Sequence, residues 1–279
     1  SNEIKCPEQK FQSALIAEIQ KLSSSTRSKE IFLLPFSFSN LELQTHCWEQ
    51  HYETLVKISI AGWICYTIVD DIIDENKSRS KLTTALWFMR YLDSKVRTLP
   101  IRLQKIFYCL LALLESGMLK NKICLLTDSK AILVKNLFIK SAPHCFGIIA
   151  AYYLTHRSQR TDLKNIYQFC QHFLAARQLM DDLTDLEIDL KNNNSTPITQ
   201  SYKYFARGLS YSDQSNLKAK LIKLGLRKTK SIIAKAYKIL SREQDLNEQN
   251  LYELLNELRT NSQKGLLVIR LNQELSKLY

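Results

Sequence analysis

Turn-forming residues are scarce in this chain: its 279 residues include 6 glycines and 5 prolines. Few turns can be built from so few of them, and the helix formers Leu, Lys, Ile, Ala, Glu and Gln dominate in their place. Strand signals are weak throughout, and the expected fold class is all-α. No Cys-x-x-Cys pair occurs among the seven scattered cysteines (Cys6, Cys47, Cys65, Cys109, Cys124, Cys145, Cys170), and several sit in apolar runs. They read as buried thiols of a reducing compartment rather than disulfides or zinc ligands. The main apolar stretch, Ile58 to Val69, is too short to span a bilayer, and no basic segment followed by an apolar one opens the chain. A cytoplasmic protein is the expectation. Acidic residues are outnumbered, 27 against 39 Lys and Arg, for a formal charge of +12, which favours anionic partners.

With 45% hydrophobic residues, the chain can bury one substantial core, so residues 1–279 are expected to form a single helical domain. Helical spacing predicts elements at roughly 41–75, 82–97, 101–120, 129–156, 162–191, 199–208, 213–224, 226–242 and 248–277. The 58–69 segment is apolar on nearly every face, which predicts a helix at the centre of the bundle. Pro143 and Gly147 predict a kink near Lys140 and a locally freed carbonyl.

Of twelve aspartates, seven fall in two windows: Asp70, Asp71 and Asp74, then Asp181, Asp182, Asp185 and Asp189. Residues three and four apart share a helix face, so each window concentrates negative charge within an apolar helix. Like charges at these spacings cost a few tenths of a kcal/mol per pair when exposed and more when buried. A cation should offset that cost. Mg2+ suits it, because magnesium takes hard oxygen ligands and commonly joins one or two carboxylates to substrate phosphates. A solvated acidic face is the plainer explanation, but the only nearby cation after the first window is Lys77.

These residues resemble the trans-isoprenyl diphosphate synthase family, which carries a first Asp-Asp-x-x-Asp and a second within Gln-x-x-Asp-Asp-x-x-Asp. Here Gln178-Leu179-Met180-Asp181-Asp182-Leu183-Thr184-Asp185 matches the second. The resemblance spans roughly residues 29–200 and implies an isoprenoid-synthase-type helical bundle around a central cavity. It implies Asp70, Asp71, Asp74, Asp181, Asp182 and Asp185 as ligands of up to three Mg2+ ions, and an allylic isoprenoid diphosphate as substrate. Arg79 stands where the family places the first of two arginines after the first motif, followed by Ser80 and Lys81. Lys140-Ser141, about forty residues ahead of Asp181, resembles the family's Lys-Thr pair; an ordinary surface lysine is the alternative. The family's Gly-Gly-Lys-Arg segment has no clear counterpart, Lys29 being the nearest candidate, which weakens the implication of a second isoprenoid diphosphate as co-substrate. The segment 186–197 also resembles the squalene and phytoene synthase branch.

Tyr66 lies one turn before Asp70, where bulk in the resembling family limits product length; a core tyrosine bonded to a neighbouring helix explains it equally. Arg177, four residues before Asp181, is placed to pair with it or to touch diphosphate. His46 and His51 match no metal spacing and read as structural. Lys218, Lys220, Lys223, Arg227, Lys228, Lys230, Lys235 and Lys238 form a basic stretch at helical spacing. A solvated face is its plainest meaning and peripheral contact with an anionic membrane the sharper one; nucleic acid is disfavoured, because no recognition signature accompanies the charge.

Three functions remain open: a magnesium-dependent transferase of prenyl groups, a class I terpene synthase, and a non-catalytic helical subunit or membrane-surface binder. Terpene cyclases share the first motif, but their second usually reads Asn-Asp with Ser and Glu, which Asp181, Asp182 and Asp185 do not follow. The sequence leaves a homodimer open.

Overall fold

The computed structural model describes residues 46–75, 79–119, 124–155, 160–241, 256 and 258–260. Among them the chain is helical, with no strand. The helices are α1 (His46–Glu75), α2 (Arg79–Val96), α3 (Ile101–Leu119), α4 (Lys130–Ser141), α5 (Cys145–Thr155), α6 (Arg160–Thr184), α7 (Leu186–Asn192), α8 (Pro197–Phe205) and α9 (Tyr211–Leu240), with a 3-10 turn at Ala142–His144. Lys29, Cys6 and most of the expected C-terminal helix at 248–277 lie outside the described residues.

One contiguous set of buried side chains joins these helices. α5 is its centre: every residue of Cys145–Thr155 is buried except the half-buried Tyr153. The expectation had placed α1 there, but α1 buries a stripe, Leu55, Ile58, Ala61, Ile64 and Cys65, while Ile60, Trp63, Ile68 and Val69 are half-buried. α5 is short and flanked by α1, α3 and α6, which cover it all round, whereas the thirty-residue α1 packs on α2 and α5 and keeps part of its surface open among the described residues. α9 packs along α6, and α2 along α1, where Cys65 Sγ lies 3.7 Å from Ala85 O. Cys124, Cys145 and Cys170 are also buried thiols, while Cys109 is exposed. Lys130–Thr155 taken together is long and apolar enough to cross a membrane, but 61% of its apolar window is buried inside the bundle.

Local chemistry sets several boundaries. Ser129 Oγ accepts from Ile132 N–H at the start of α4, and Ser210 Oγ from Asp213 N–H at the start of α9. Thr196 and Thr199 form a reciprocal cap ahead of Pro197, which opens α8. The predicted break near Lys140 is present, since α4 ends at Ser141, but the predicted free carbonyl is not: Ile139 O, which Pro143 cannot serve, accepts from Ala142 N–H instead.

Two boundaries differ from expectation. α9 runs unbroken through Gly225, and α6 stops at Thr184 instead of continuing to 191. The two are linked. A Cβ at Gly225 would lie 2.6 Å from Leu183 Cδ2, so this glycine permits close packing of α9 on α6 and does not end a helix. Gly117 makes a closer approach, since a Cβ there would lie 1.9 Å from the Cγ2 of Ile139. Gly117→Ala should therefore lower stability by about 1–2 kcal/mol in denaturant melts. The overpacking against a β-branched side chain outweighs the roughly 1 kcal/mol gain in helix propensity.

Candidate functional site

The two aspartate clusters occupy equivalent places on two long helices. Asp70, Asp71 and Asp74 lie in the last two turns of α1, and Arg79 opens α2; the side chains of these four lie outside the described residues. Asp181 and Asp182 lie in the last turn of α6, and Asp185 in the bend between α6 and α7 (φ −96°, ψ 9°). The acids of the second cluster thus do not share one uninterrupted helix face. Among the described residues, no three His, Cys, Asp or Glu side chains come together as a metal-holding group.

Asp182 is the most constrained member. It is 5% exposed, and Gln178 Nε2 donates to its Oδ1 at 2.9 Å. Gln178 Oε1 in turn accepts from Ser141 Oγ at 3.2 Å. The Lys140-Ser141 pair and the Gln-x-x-Asp-Asp motif, distant in sequence, are therefore joined by a hydrogen-bonded relay. Burial pushes the Asp182 carboxyl up to about 7; the Gln178 bond and the charge of Lys140 oppose that rise, while Asp189 and Asp181 add to it. Lys140 is exposed, and its Nζ donates to Ser195 O at 3.4 Å. Asp189 is buried and accepts from Asn194 Nδ2 at 3.0 Å, which fixes the end of α7.

His144, in the turn after Pro143, meets side chains from both α1 and α6. The ring of Tyr66 meets it edge-on at 4.7 Å, and Trp63 lies 5.3 Å away. From α6, the charge of Arg177 acts on the same imidazole. Tyr66 is one turn before Asp70 and Arg177 one turn before Asp181, so the approaches to both clusters flank one turn of chain. His144 as a residue is half-buried, but its imidazole is enclosed by the groups packed around it: burial, then Arg177, lowers its pKa to about 4. The neutral imidazole stabilises the fold above pH 6.5, and that contribution of about 3 kcal/mol is lost as pH falls towards 4. His144→Phe, which keeps an aromatic ring between Trp63 and Tyr66, should flatten this acid limb in pH-dependent melts.

Sequence reasoning passed over His144; its one signal was a polar ring beside Pro143 inside an apolar run. His51 is half-buried with its pKa lowered by burial, in keeping with a structural role, and the side chain of His46 lies outside the described residues. The donor set suits a hard divalent cation. Asp182 carries one hydrogen bond and no ion pair among the described residues, so the Gln178 bond and the more distant charge of Lys140 only partly offset the burial of its carboxylate. No protein-family model matches this chain, and no curated protein matches it at a significant level.

Proposed function

We propose that this protein is a magnesium-dependent prenyltransferase of the isoprenoid-synthase type, acting on an allylic isoprenoid diphosphate. The observation that carries this reading is Asp182. A carboxylate buried at the end of α6, bonded by Gln178 and within reach of the charge of Lys140, is costly to keep unless it serves a cation.

The absence of a three-acid group within the second cluster is consistent with this reading. Magnesium is held by one or two carboxylates together with substrate phosphates and water, not by an all-protein cage. Asp181, Asp182 and Asp185 would supply one side of such a site, and Asp70, Asp71 and Asp74 the other. Bound Mg2+ would neutralise the diphosphate and so ease departure of the leaving group from the allylic carbon. Gln178 orients Asp182 and is itself oriented by Ser141, while Arg177, Lys140 and Arg79 supply positive charge for diphosphate oxygens. In this reading Tyr66 and Trp63, whose rings pack against His144, line the site and favour a developing carbocation over water.

Mass spectrometry of products from geranyl or farnesyl diphosphate and Mg2+, with and without isopentenyl diphosphate, tests the reading. Transfer predicts a longer prenyl product that requires the second substrate. Hydrocarbon or alcohol released without it would mark a terpene synthase instead.

A further inference from the structure

The corner between α8 and α9 carries an unusual concentration of exposed apolar side chains. Tyr211 is 91% exposed and Tyr204 59%, with Phe205 at 39% and Leu209 at 38%. Ile188, at 59%, lies on α7, which is joined to this region by the contacts of Asn193 with Lys203 and Glu187 with Lys218. The corner is a built structure. Gly208 turns the chain with φ +78°, Leu209 N–H donates to Ala206 O, and Ser210 caps α9. Tyr202 Oη donates to Gln214 Oε1 at 3.1 Å, and Lys203 Nζ to Asn193 Oδ1 at 3.3 Å. Lys218 reaches both carboxylate oxygens of Glu187, which ties α7 to α9.

The charge around this corner is mainly positive. Lys191, Lys203, Arg207 and Lys220 are exposed, Glu187 is paired with Lys218, and the exposed carboxylate of Asp213 accepts from Ser210 Oγ. From Gln214 to Leu240, α9 holds eight Lys and Arg and no Asp or Glu. At about 100° per residue, Lys220, Lys223, Arg227, Lys230, Lys235 and Lys238 fall on one side of the helix, opposite the buried Ile232, Ile233 and Ala236 in sequence pattern. Cations alone suit any polyanion. Phe205, Leu209 and Ile188 offer nothing to hydrogen-bond a base or a phosphate, whereas exposed tyrosines, apolar side chains and flanking lysines together match the headgroup region of a bilayer.

We propose that this corner docks on an anionic phospholipid membrane. Tyr204, Phe205, Leu209 and Tyr211 enter the headgroup layer, and Lys203 and Arg207, beside them in the chain, lie over anionic lipids. The proposal stands on the surface alone, and its test reads no turnover, so it can fail without affecting the chemistry assigned to the aspartates.

The test uses the full chain with vesicles of phosphatidylcholine, alone or mixed with phosphatidylserine, at low and high salt. Tyr211→Trp should show a blue-shifted emission over the parent protein with phosphatidylserine vesicles and none with phosphatidylcholine alone. In sedimentation, Lys203→Gln with Arg207→Gln should weaken binding by about twenty-five-fold, since each cation near such a surface is worth about fivefold. Tyr211→Ser, at a site too exposed to disturb folding, should weaken it further. Three results would each overturn the proposal: unchanged Tyr211→Trp emission on phosphatidylserine vesicles, vesicle binding indifferent to all these substitutions, or polyuridylate binding tighter than vesicle binding and lost with Lys203→Gln and Arg207→Gln.

Discussion

Asp182→Asn is expected to melt at a higher temperature than the parent protein above pH 7 and yet to lose about a thousandfold in magnesium-dependent turnover. The stability half follows from burial. A carboxyl held near 7 in the folded chain, against 3.8 when unfolded, costs nothing below pH 3.8. The cost grows as pH rises and reaches about 4 kcal/mol above pH 7. Asparagine keeps the shape and has no charge to desolvate, so it recovers much of that cost. The functional half follows from the proposed metal role, because losing several kcal/mol of charge stabilisation in the transition state corresponds to about three decades in rate. A melt at pH 8 beside a turnover assay checks both. A variant that is stabilised but fully active would separate the burial of Asp182 from any role in holding metal.

Phe146→Ala should destabilise the fold by about 3–5 kcal/mol. Phe146 is 2% exposed at the start of α5, and its ring meets that of Phe107 edge-on at 5.1 Å. The helix it seats is covered from all sides, so little can collapse into the space left behind. Chemical denaturation should show the loss as a lower midpoint at unchanged slope, with Ile132→Ala, half exposed on α4, staying within about 0.5 kcal/mol as the control. Because α5 packs on both α1 and α6, this variant should also loosen the two helices that carry the aspartates.

The helical character of the chain could be read from the scarcity of glycine and proline, and the break after Ser141 from Pro143. The features that were missed depend on packing. Gly225 looks like a helix end in one dimension, but in the fold it is the place where α9 approaches Leu183. Nothing local announces the bend at Asp185, since Leu183 and Leu186 continue the apolar pattern; both are buried, and the chain turns between them. α5 outranks α1 as the core because its neighbours enclose it, which composition alone cannot reveal. In the site, the aspartate windows were legible as unexplained charge in apolar helices. The bond from Ser141 to Gln178 spans 37 residues and exists only once α4 meets α6. His144 was invisible for the same reason, since its neighbours Trp63, Tyr66 and Arg177 come from helices far apart in sequence.

The central claim is that the two aspartate clusters jointly hold magnesium and a diphosphate, and titration calorimetry with inorganic diphosphate tests it most directly. The parent protein should bind diphosphate in the presence of Mg2+ and not in its absence. Asp70→Ala and Asp181→Ala should each weaken that binding by at least the roughly 10–100-fold typical of groups that only orient metal ligands. Magnesium-dependent binding of equal strength in the parent and both variants would contradict the account.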